Sequence, residues 1–519
     1  MEAIGFAIAI FHSWRPDYHN GTAACCAQAR EGDAPPPMVA WCPARFWRWC
    51  VRTARPAGCL LAALTPAEAA GYTLLHMCDA SPALRYYIYT WGCQMNEAES
   101  GAMARLLDSL GAAAAPEAAQ ADLVLLVTCC VREKPEQKVY SLLGKLRQLK
   151  ARRPGMRIAV TGCMAQKEAE RIRQRVPEVD LVLGPRQLYR LPQLLDENGG
   201  PRLELSLETG HAFCASTHSW RQGAAPGLSE FVTIIQGCTN FCSYCIVPYV
   251  RGPECSRPAA EVEAEVRTLA ARGCREVTLL GQNVLAYGKD AGELDFVGLL
   301  ERLQEVPGLR RLRFTTCHPQ DLDERVVVAM ARLPLVCPHL HLPIQHGDDE
   351  ILRRMNRPYT VAEYEARLAA LRRAVPGIAV SADLLVGFPG EREEHFQRLL
   401  ETVRRLELEG VFMFAYSPRP GTAAAALPDQ VPGPEKRRRL RELIRVQNEV
   451  TERLHAGRVG QVHEVLVAGP SETDPGRLAG RTGTFHQVVF AGPPGLEGEM
   501  VKVRLQRARR WGFYGELIS

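Results

Sequence analysis

The sequence predicts an α/β protein with three successive units: an N-terminal parallel-sheet α/β domain, a central partial (β/α)6 barrel and a small C-terminal β-barrel. Two patterns predict this order. From residue 85 to about residue 456, short apolar strands alternate with helical stretches, which is typical of parallel sheets buried on both faces. From residue 460 onward, short alternating segments are separated by Gly and Pro, which is typical of a small barrel.

Composition and length fit this architecture. The chain has 519 residues, enough for three or four domains of roughly 150 residues each. It is 46% hydrophobic and 23% charged, which excludes a chain that is disordered throughout. No run of about 18 apolar residues is present, so we expect no transmembrane helix and no membrane partner. The net charge is only +5, so any contact with nucleic acid must come from a local patch.

Residues 1–80 stand apart, with four of the seven Trp, six Cys and no sustained periodicity. The start lacks the positive charge of a signal peptide, and its acidic residues argue against a mitochondrial transit peptide. A cysteine-rich metal module is the functional alternative, but paired ligand spacing is missing. We therefore expect an unstructured extension or an over-long start, with Met77 as an alternative initiator, and a cytoplasmic protein.

Three apolar strands after residue 85 are each followed directly by a cysteine. These cysteines are Cys93, Cys129 and Cys163. Because the carboxyl ends of parallel strands share one edge of a sheet, the three thiols are expected to converge there as ligands of a metal cluster. Three ordinary buried cysteines are the alternative, since free Cys is often buried. Cys130 adjoins Cys129 and could take its place.

A second group of cysteines follows the first strand of the central unit. Cys238, Cys242 and Cys245 form a Cys-x3-Cys-x2-Cys loop. A zinc site would need a fourth nearby ligand, and Cys255 has the wrong spacing. Three thiolates suit a four-iron cluster that leaves one iron open to a ligand.

This loop resembles that of the radical S-adenosylmethionine (SAM) superfamily. The resemblance implies a [4Fe-4S] cluster on the three cysteines, with S-adenosyl-L-methionine on the open iron and Tyr244 packed near its adenine. Tyr244 as an ordinary core residue is the alternative. His318 and His346 follow predicted strands of the barrel, and neither is assigned a catalytic role.

The C-terminal unit carries a basic segment. Lys502–Arg510 holds five basic residues in nine and is predicted to be the last strand of the barrel, with its charges on one face. A cationic face on a small barrel favours contact with an RNA backbone.

Residues 83–519 together resemble the methylthiotransferase family, and several motifs resemble its tRNA-modifying branch. The resemblance implies an N-terminal methylthiotransferase domain over residues 83–200, a radical SAM core over 224–456 and an RNA-binding TRAM domain over 457–519. The sequence departs from the family at Val127, where an Asn is usual, and at the extra Cys130. The matching motifs are Gly92–Asn96, Arg132–Lys134, Val247–Gly252, Gly281–Val284 and Tyr416–Thr422.

The resemblance also implies an activity and its partners. The expected enzyme is a tRNA methylthiotransferase that converts N6-isopentenyladenosine in the anticodon loop to its 2-methylthio form. It would use two [4Fe-4S] clusters, the auxiliary one on Cys93, Cys129 and Cys163 carrying the sulfur. A flavodoxin or a ferredoxin would supply the electrons, and the enzyme is expected to be a monomer. The sequence does not identify the sulfur donor. Alternatives are methylthiolation of threonylcarbamoyladenosine or of a ribosomal protein aspartate, or a non-catalytic iron–sulfur electron carrier or RNA-binding protein.

Overall fold

The computed structural model describes residues 84–130, 133–196, 201–208, 226–290, 292, 294–509 and 511–518. The expectations for residues 1–80 lie outside these ranges. Among the described residues, no helix combines the length and the apolarity needed to cross a membrane.

The described residues of the N-terminal domain form six strands, three more than the sequence predicted. Every neighbouring pair is parallel, and the order across the sheet is β2-β1-β3-β4-β5-β6. The extra strands, β2, β5 and β6, have only two or three residues each, too few to give a periodic pattern. The strands are β1 (Arg85–Thr90), β2 (Ala113–Ala114), β3 (Leu123–Thr128), β4 (Arg157–Gly162), β5 (Leu181–Leu183) and β6 (Arg202–Glu204).

Helices connect these strands and leave the carboxyl ends of β1, β3 and β4 side by side. All six residues of β3 are buried, as the apolar run predicted for a strand covered on both faces. Because β3 lies between β1 and β4, the segments that follow the three strands meet at one edge. The helices are α1 (Gln94–Ser109), α2 (Glu133–Arg152), α3 (Cys163–Arg175) and α4 (Leu191–Asp196).

The central domain has the six parallel strands expected of a partial barrel. They form two three-stranded sheets, β7-β10-β11 and β12-β13-β14, joined by a bridge between Leu312 and Val336. A short antiparallel pair, β8 with β9, closes the base of the loop that carries the second group of cysteines. The strands are β7 (Ser229–Thr233), β8 (Ile235–Gln236), β9 (Cys255–Ser256), β10 (Glu276–Leu280), β11 (Arg311–Phe314), β12 (His339–His341), β13 (Ala379–Val386) and β14 (Gly410–Ala415).

Helices pack around these strands and bury a continuous apolar core that includes Leu279, Phe314 and Leu340. Several helices begin at a side-chain cap, such as Asp295, Asp323 and Thr360, whose oxygens accept backbone N–H groups of the first turn. The helices are α5 (Val247–Arg251), α6 (Ala259–Ala271), α7 (Phe296–Leu303), α8 (Glu324–Arg332), α9 (Asp349–Arg354), α10 (Val361–Ala374), α11 (Glu393–Leu406) and α12 (Gly433–Ala456).

The C-terminal domain is a closed five-stranded barrel, as predicted, with one correction. The basic segment is β18, and a further strand, β19, follows it and pairs with both β18 and β17. The prediction stopped too early because β19 begins directly after a turn at Trp511 and its residues do not alternate between buried and exposed. The strands are β15 (Val462–Pro470), β16 (Leu478–Thr482), β17 (Gln487–Ala491), β18 (Met500–Arg509) and β19 (Gly512–Ile518).

Buried arginines of the central domain form hydrogen bonds to this barrel. Arg313 donates to the backbone carbonyls of Thr482 and Gly483, each at 2.7 Å. The neighbouring Arg311 donates to the carbonyl of Arg481 at 2.6 Å and to that of Glu464 at 2.9 Å. The barrel is therefore held against the core by charged side chains bound to main-chain acceptors.

Candidate metal centres

The cysteines of the N-terminal domain converge as the sequence predicted. Cys93 directly precedes α1, and Cys163 is the first residue of α3, directly after β4. Cys129 follows β3 and makes a thiol hydrogen bond with Cys93, while Cys130 makes one with Cys163. We call these four cysteines the first cysteine group.

Two glycines allow this close approach. Gly92 has a φ of +131°, and a Cβ at this position would lie 2.4 Å from Cys129 Cβ and 3.0 Å from its Sγ. Gly162 has a φ of +96°, and a Cβ there would lie 2.2 Å from the carbonyl oxygen of Thr128. Each glycine directly precedes a cysteine, so the backbone at both turns is free to bring the thiols together.

The thiols of this group differ in acidity. The hydrogen bond with Cys129 lowers the pKa of Cys93 to about 6, and the positive charge of Arg251 contributes. The hydrogen bond with Cys163 and burial raise the pKa of Cys130, so its thiol stays protonated. Cys130 is also part of the apolar core with Val124 and Leu126. Cys163 belongs to the same core, so burial does not separate the two residues, and Cys130 is distinguished by its raised pKa.

The surroundings of Cys93 fit a bound cluster. Asn96 is fully buried, and its Oδ1 lies 3.3 Å from Cys93 Sγ. Within the described part of the chain, Asn96 Nδ2 has no hydrogen-bond partner. An unpaired buried donor beside thiols is expected where an acceptor such as a cluster sulfide binds.

The second cysteine group consists of Cys238, Cys242 and Cys245, which the structure places together on one loop. Gly237 has a φ of +84°, and a Cβ there would lie 1.9 Å from the carbonyl oxygen of Pro253, so the turn requires glycine. Asn240 Nδ2 donates to Cys238 Sγ at 3.4 Å. Such donors stabilise a thiolate ligand.

Burial raises the pKa of Cys238, and it raises that of Cys245 to about 12. Without a metal these thiols are protonated at neutral pH, so binding a metal must release their protons. Tyr244 packs against an apolar cluster that contains Phe388 and Tyr416, and burial raises its pKa.

Two arginines contact the cysteines, and sequence patterns had not singled out either of them. Arg251 Nε donates to Cys163 Sγ at 3.1 Å, and its two terminal nitrogens bind Glu99. Arg357 Nη1 donates to Cys242 Sγ at 3.5 Å. Arg251 lies within the motif Val247–Gly252. The motif identified this segment as part of the family pattern, but it did not predict the contact of the Arg251 side chain with a cysteine.

Several polar residues after the barrel strands contact nearby structural groups. Gln282 Oε1 accepts the backbone N–H of Gly237 at 2.6 Å and so supports the cysteine loop. His318 Nδ1 accepts the N–H of Gln320 at 3.3 Å, and burial lowers the pKa of His318 to about 3. His346 is fully buried 3.5 Å from Glu391. Among the described residues, His318 Nε2 and both ring nitrogens of His346 have no hydrogen-bond partner, and no catalytic role is assigned to either histidine.

Comparison with known families covers the three domains separately. Residues 85–184 match the uncharacterized protein family UPF0004, residues 232–403 match the radical SAM superfamily, and residues 457–518 match the TRAM domain.

Relatives that match most of the chain identify the family more narrowly than the domain matches do. A tRNA-2-methylthio-N(6)-dimethylallyladenosine synthase from Moorella thermoacetica is 46% identical over 440 residues, which cover 84% of this chain and 98% of that protein. The synthase of the same name from Geobacter metallireducens is 46% identical over 434 residues, covering 83% of this chain and 98% of that protein. The chain belongs to this synthase family. The synthase of the same name from Delftia acidovorans is 45% identical, and the match covers 84% of this chain and 99% of that protein.

A solved structure supports the fold of this family member. The radical S-adenosylmethionine methyltransferase TsrM from Kitasatospora setae, solved with cobalamin and a [4Fe-4S] cluster, has a TM-score of 0.50. It is 15% identical, and the match covers 66% of this chain and 77% of that one. At this identity the likeness shows a shared fold.

Proposed function

We propose that this protein methylthiolates N6-isopentenyladenosine in tRNA at the C2 position of the adenine. The observation that carries the proposal is the presence of two separate cysteine groups in one chain, at the carboxyl ends of parallel strands in two domains. Membership of the synthase family and a TRAM domain support tRNA as the substrate. We place the target adenosine in the anticodon loop.

The cysteines are proposed to hold one [4Fe-4S] cluster in each domain, where three thiolates are available. Cys93, Cys129 and Cys163 serve the auxiliary cluster in the domain of residues 83–200. Cys238, Cys242 and Cys245 serve the cluster that binds SAM, in the core of residues 224–456. Thiolate ligands, the glycine turns beside them and the unpaired Asn96 amide support this assignment.

When bound, these cofactors supply the radical and sulfur chemistry that an unactivated adenine C2–H requires. The residues of the chain bind, orient and enclose them. Tyr244 is proposed to lie against the adenine of SAM, which its position one residue before Cys245 and its packing on Phe388 support. Gln282 holds the N–H of Gly237 and thereby the conformation of the loop.

The TRAM domain, residues 457–519, is proposed to bind the tRNA backbone. Arg477, Arg507 and Arg509 surround the ring of Tyr514, with guanidinium carbons 4.4–5.4 Å from its centroid. Several cations around one half-buried aromatic ring suit phosphate contacts and base stacking. We further propose a cytoplasmic monomer that receives electrons from a flavodoxin or a ferredoxin.

The test is nucleoside mass spectrometry of tRNA from a strain that lacks the gene. We expect 2-methylthio-N6-isopentenyladenosine to disappear and its unthiolated precursor to accumulate, and the intact gene to restore it. Loss of a methylthiolated threonylcarbamoyladenosine instead would assign the protein to the other tRNA branch. A purified, reduced protein that forms no 5′-deoxyadenosine from SAM would favour an electron carrier.

A further inference from the structure

Arg251 connects the two cysteine groups. It ends α5, six residues after Cys245, and its side chain is only 3% exposed. From the central domain it reaches the first cysteine group, where Nε donates to Cys163 Sγ at 3.1 Å. Because Cys163 is 88 residues away in the sequence, domain packing alone creates this contact.

The guanidinium of Arg251 is neutralised by a carboxylate of the N-terminal domain. Glu99, on α1, accepts from Nη1 at 2.6 Å and from Nη2 at 3.2 Å in a bidentate pair. The Glu99 side chain is 7% exposed, so neither charge is screened by water. A paired buried arginine of this kind is held in one geometry by its two parallel hydrogen bonds.

Within the part of the chain that the structure describes, the arginine of the second cysteine group pairs with no carboxylate. Arg357 donates to Cys242, and its other partners are the Tyr359 hydroxyl at 2.7 Å and the Pro343 carbonyl at 2.5 Å, both neutral. The two groups therefore share a guanidinium–sulfur contact and differ in the charge that surrounds it.

We propose that the Arg251–Glu99 pair sets the reduction potential of the auxiliary cluster and fixes that cluster against the SAM domain. The proposal rests on the proposed function, since it requires a cluster on the first cysteine group. Net charge and hydrogen bonds to sulfur are the protein's means of tuning an iron–sulfur potential. A nearby cation stabilises the reduced, more negative cluster and raises the potential, whereas the Glu99 carboxylate opposes that effect. Arg251 is thus a positioning residue that acts on the cluster through Cys163.

The experiment is a redox titration of the auxiliary cluster, followed by electron paramagnetic resonance. The full chain carries Cys238→Ala, Cys242→Ala and Cys245→Ala in every sample, so that only the auxiliary cluster titrates. Glu99→Gln leaves the guanidinium uncompensated and is expected to shift the midpoint potential to more positive values. Arg251→Lys keeps the charge but removes the Nε–H donor to sulfur, and is expected to shift it to more negative values.

Arg186→Lys is the matched control. Arg186 is also buried and also joins the two domains, but it donates to the main-chain carbonyls of Leu207 and Pro253 instead of to a cysteine. Its replacement is expected to leave the potential unchanged. Unmoved potentials in Glu99→Gln and Arg251→Lys, or an equal shift in Arg186→Lys, would overturn the proposal.

The test also covers two further outcomes, a variant that fails to fold and a parent that binds no iron. If Glu99→Gln does not fold, Arg251→Lys decides the question alone, because an unchanged potential in that variant contradicts the proposed hydrogen bond to sulfur. If the parent with the three alanines binds no iron at all, the assignment of the auxiliary cluster fails, and the proposal fails with it. A normal cluster signal with unmoved potentials rejects only the role of the pair.

Discussion

Gly92 lies so close to Cys129 that a single added carbon would collide with it. A Cβ on Gly92 would be 2.4 Å from Cys129 Cβ, well inside the distance at which two carbon atoms can approach. The first cysteine group therefore depends on a residue that contributes no side chain.

Gly92→Ala is expected to prevent the auxiliary cluster from forming, because Cys129 must move away from Cys93. Iron content after anaerobic reconstitution should fall by about half relative to the wild type. Gly111→Ala is the matched control, since Gly111 also has a positive φ, +81°, but meets nothing within 4 Å. Equal iron loss in both variants would mean that backbone strain, and not the contact with Cys129, is responsible.

Replacing Cys238, Cys242 and Cys245 together by Ala is expected to remove about half of the iron, because each cluster depends on its own thiolates. The remaining iron should belong to the first cysteine group and disappear when Cys93, Cys129 and Cys163 are also replaced. A triple variant that keeps all its iron would contradict the two-site assignment.

Cys130→Ala is expected to keep both clusters and the activity, because Cys129 occupies the family's motif position and the pKa of Cys130 is raised, which disfavours a thiolate there. Cys129→Ala should lose the auxiliary iron. The measurement is iron content together with turnover on tRNA. The reverse pattern, with Cys130 essential and Cys129 dispensable, would exchange the two roles.

Acid is expected to weaken the contact between the barrel and the core at Glu409. Burial alone would raise its pKa, but hydrogen bonds from His486, at 2.7 Å, and Arg458 lower it to about 2. A carboxyl with a lowered pKa in the folded state stabilises the protein above its unfolded pKa, and this stability is lost as the pH falls from about 4.5 to about 2.

Glu409→Gln should therefore reduce the free energy of unfolding of the apo protein by roughly 1–3 kcal/mol at pH 6 and by almost nothing near pH 2. Chemical denaturation across this range measures the difference. Glu407→Gln is the control, because Glu407 is about half exposed and pairs with Arg453 at the surface. A difference between wild type and Glu409→Gln that does not change with pH would exclude the carboxylate as its source.

Changing Arg504, Arg507 and Arg509 to Ala is expected to weaken tRNA binding and flatten its salt dependence, by a slope of roughly 0.7 for each phosphate that the protein no longer neutralises. SAM cleavage without tRNA should be unaffected. Affinity measured at several salt concentrations tests this, with Arg445→Ala on α12 as a control that removes one exposed, ion-paired cation. Wild-type affinity and slope in the triple variant would place the RNA site elsewhere.

The sequence predicted much of the fold because its information there is local. The strand Leu123–Thr128, which precedes Cys129, is a continuous apolar run, and the sequence predicted a strand there. The strand Glu276–Leu280 is likewise buried at all five residues, as expected of a strand in a parallel sheet covered on both faces. The meeting of Cys93, Cys129 and Cys163 also followed from sequence, since adjacent parallel strands bring their carboxyl ends to one edge.

The basic strand shows where local pattern was insufficient. One cationic face was predicted, but strict alternation would place Lys502 and Arg504 on one face and Arg507 on the other. A bulge between Leu505 and Arg507 shifts the register, so Arg507 is exposed together with Lys502 and Arg504. A bulge depends on the pairing of β18 with β19, and alternation within one strand does not reveal it.

By itself, then, the sequence determined the elements, their order and the cysteines at their ends, because these follow from periodicity and from neighbours in the chain. Only the tertiary structure decided which charges surround those cysteines. Glu99 and Arg251 are 152 residues apart and belong to different domains. Their contact exists because α1 and α5 pack beside the same group of thiols, and long-range packing of this kind leaves no periodic pattern in either segment.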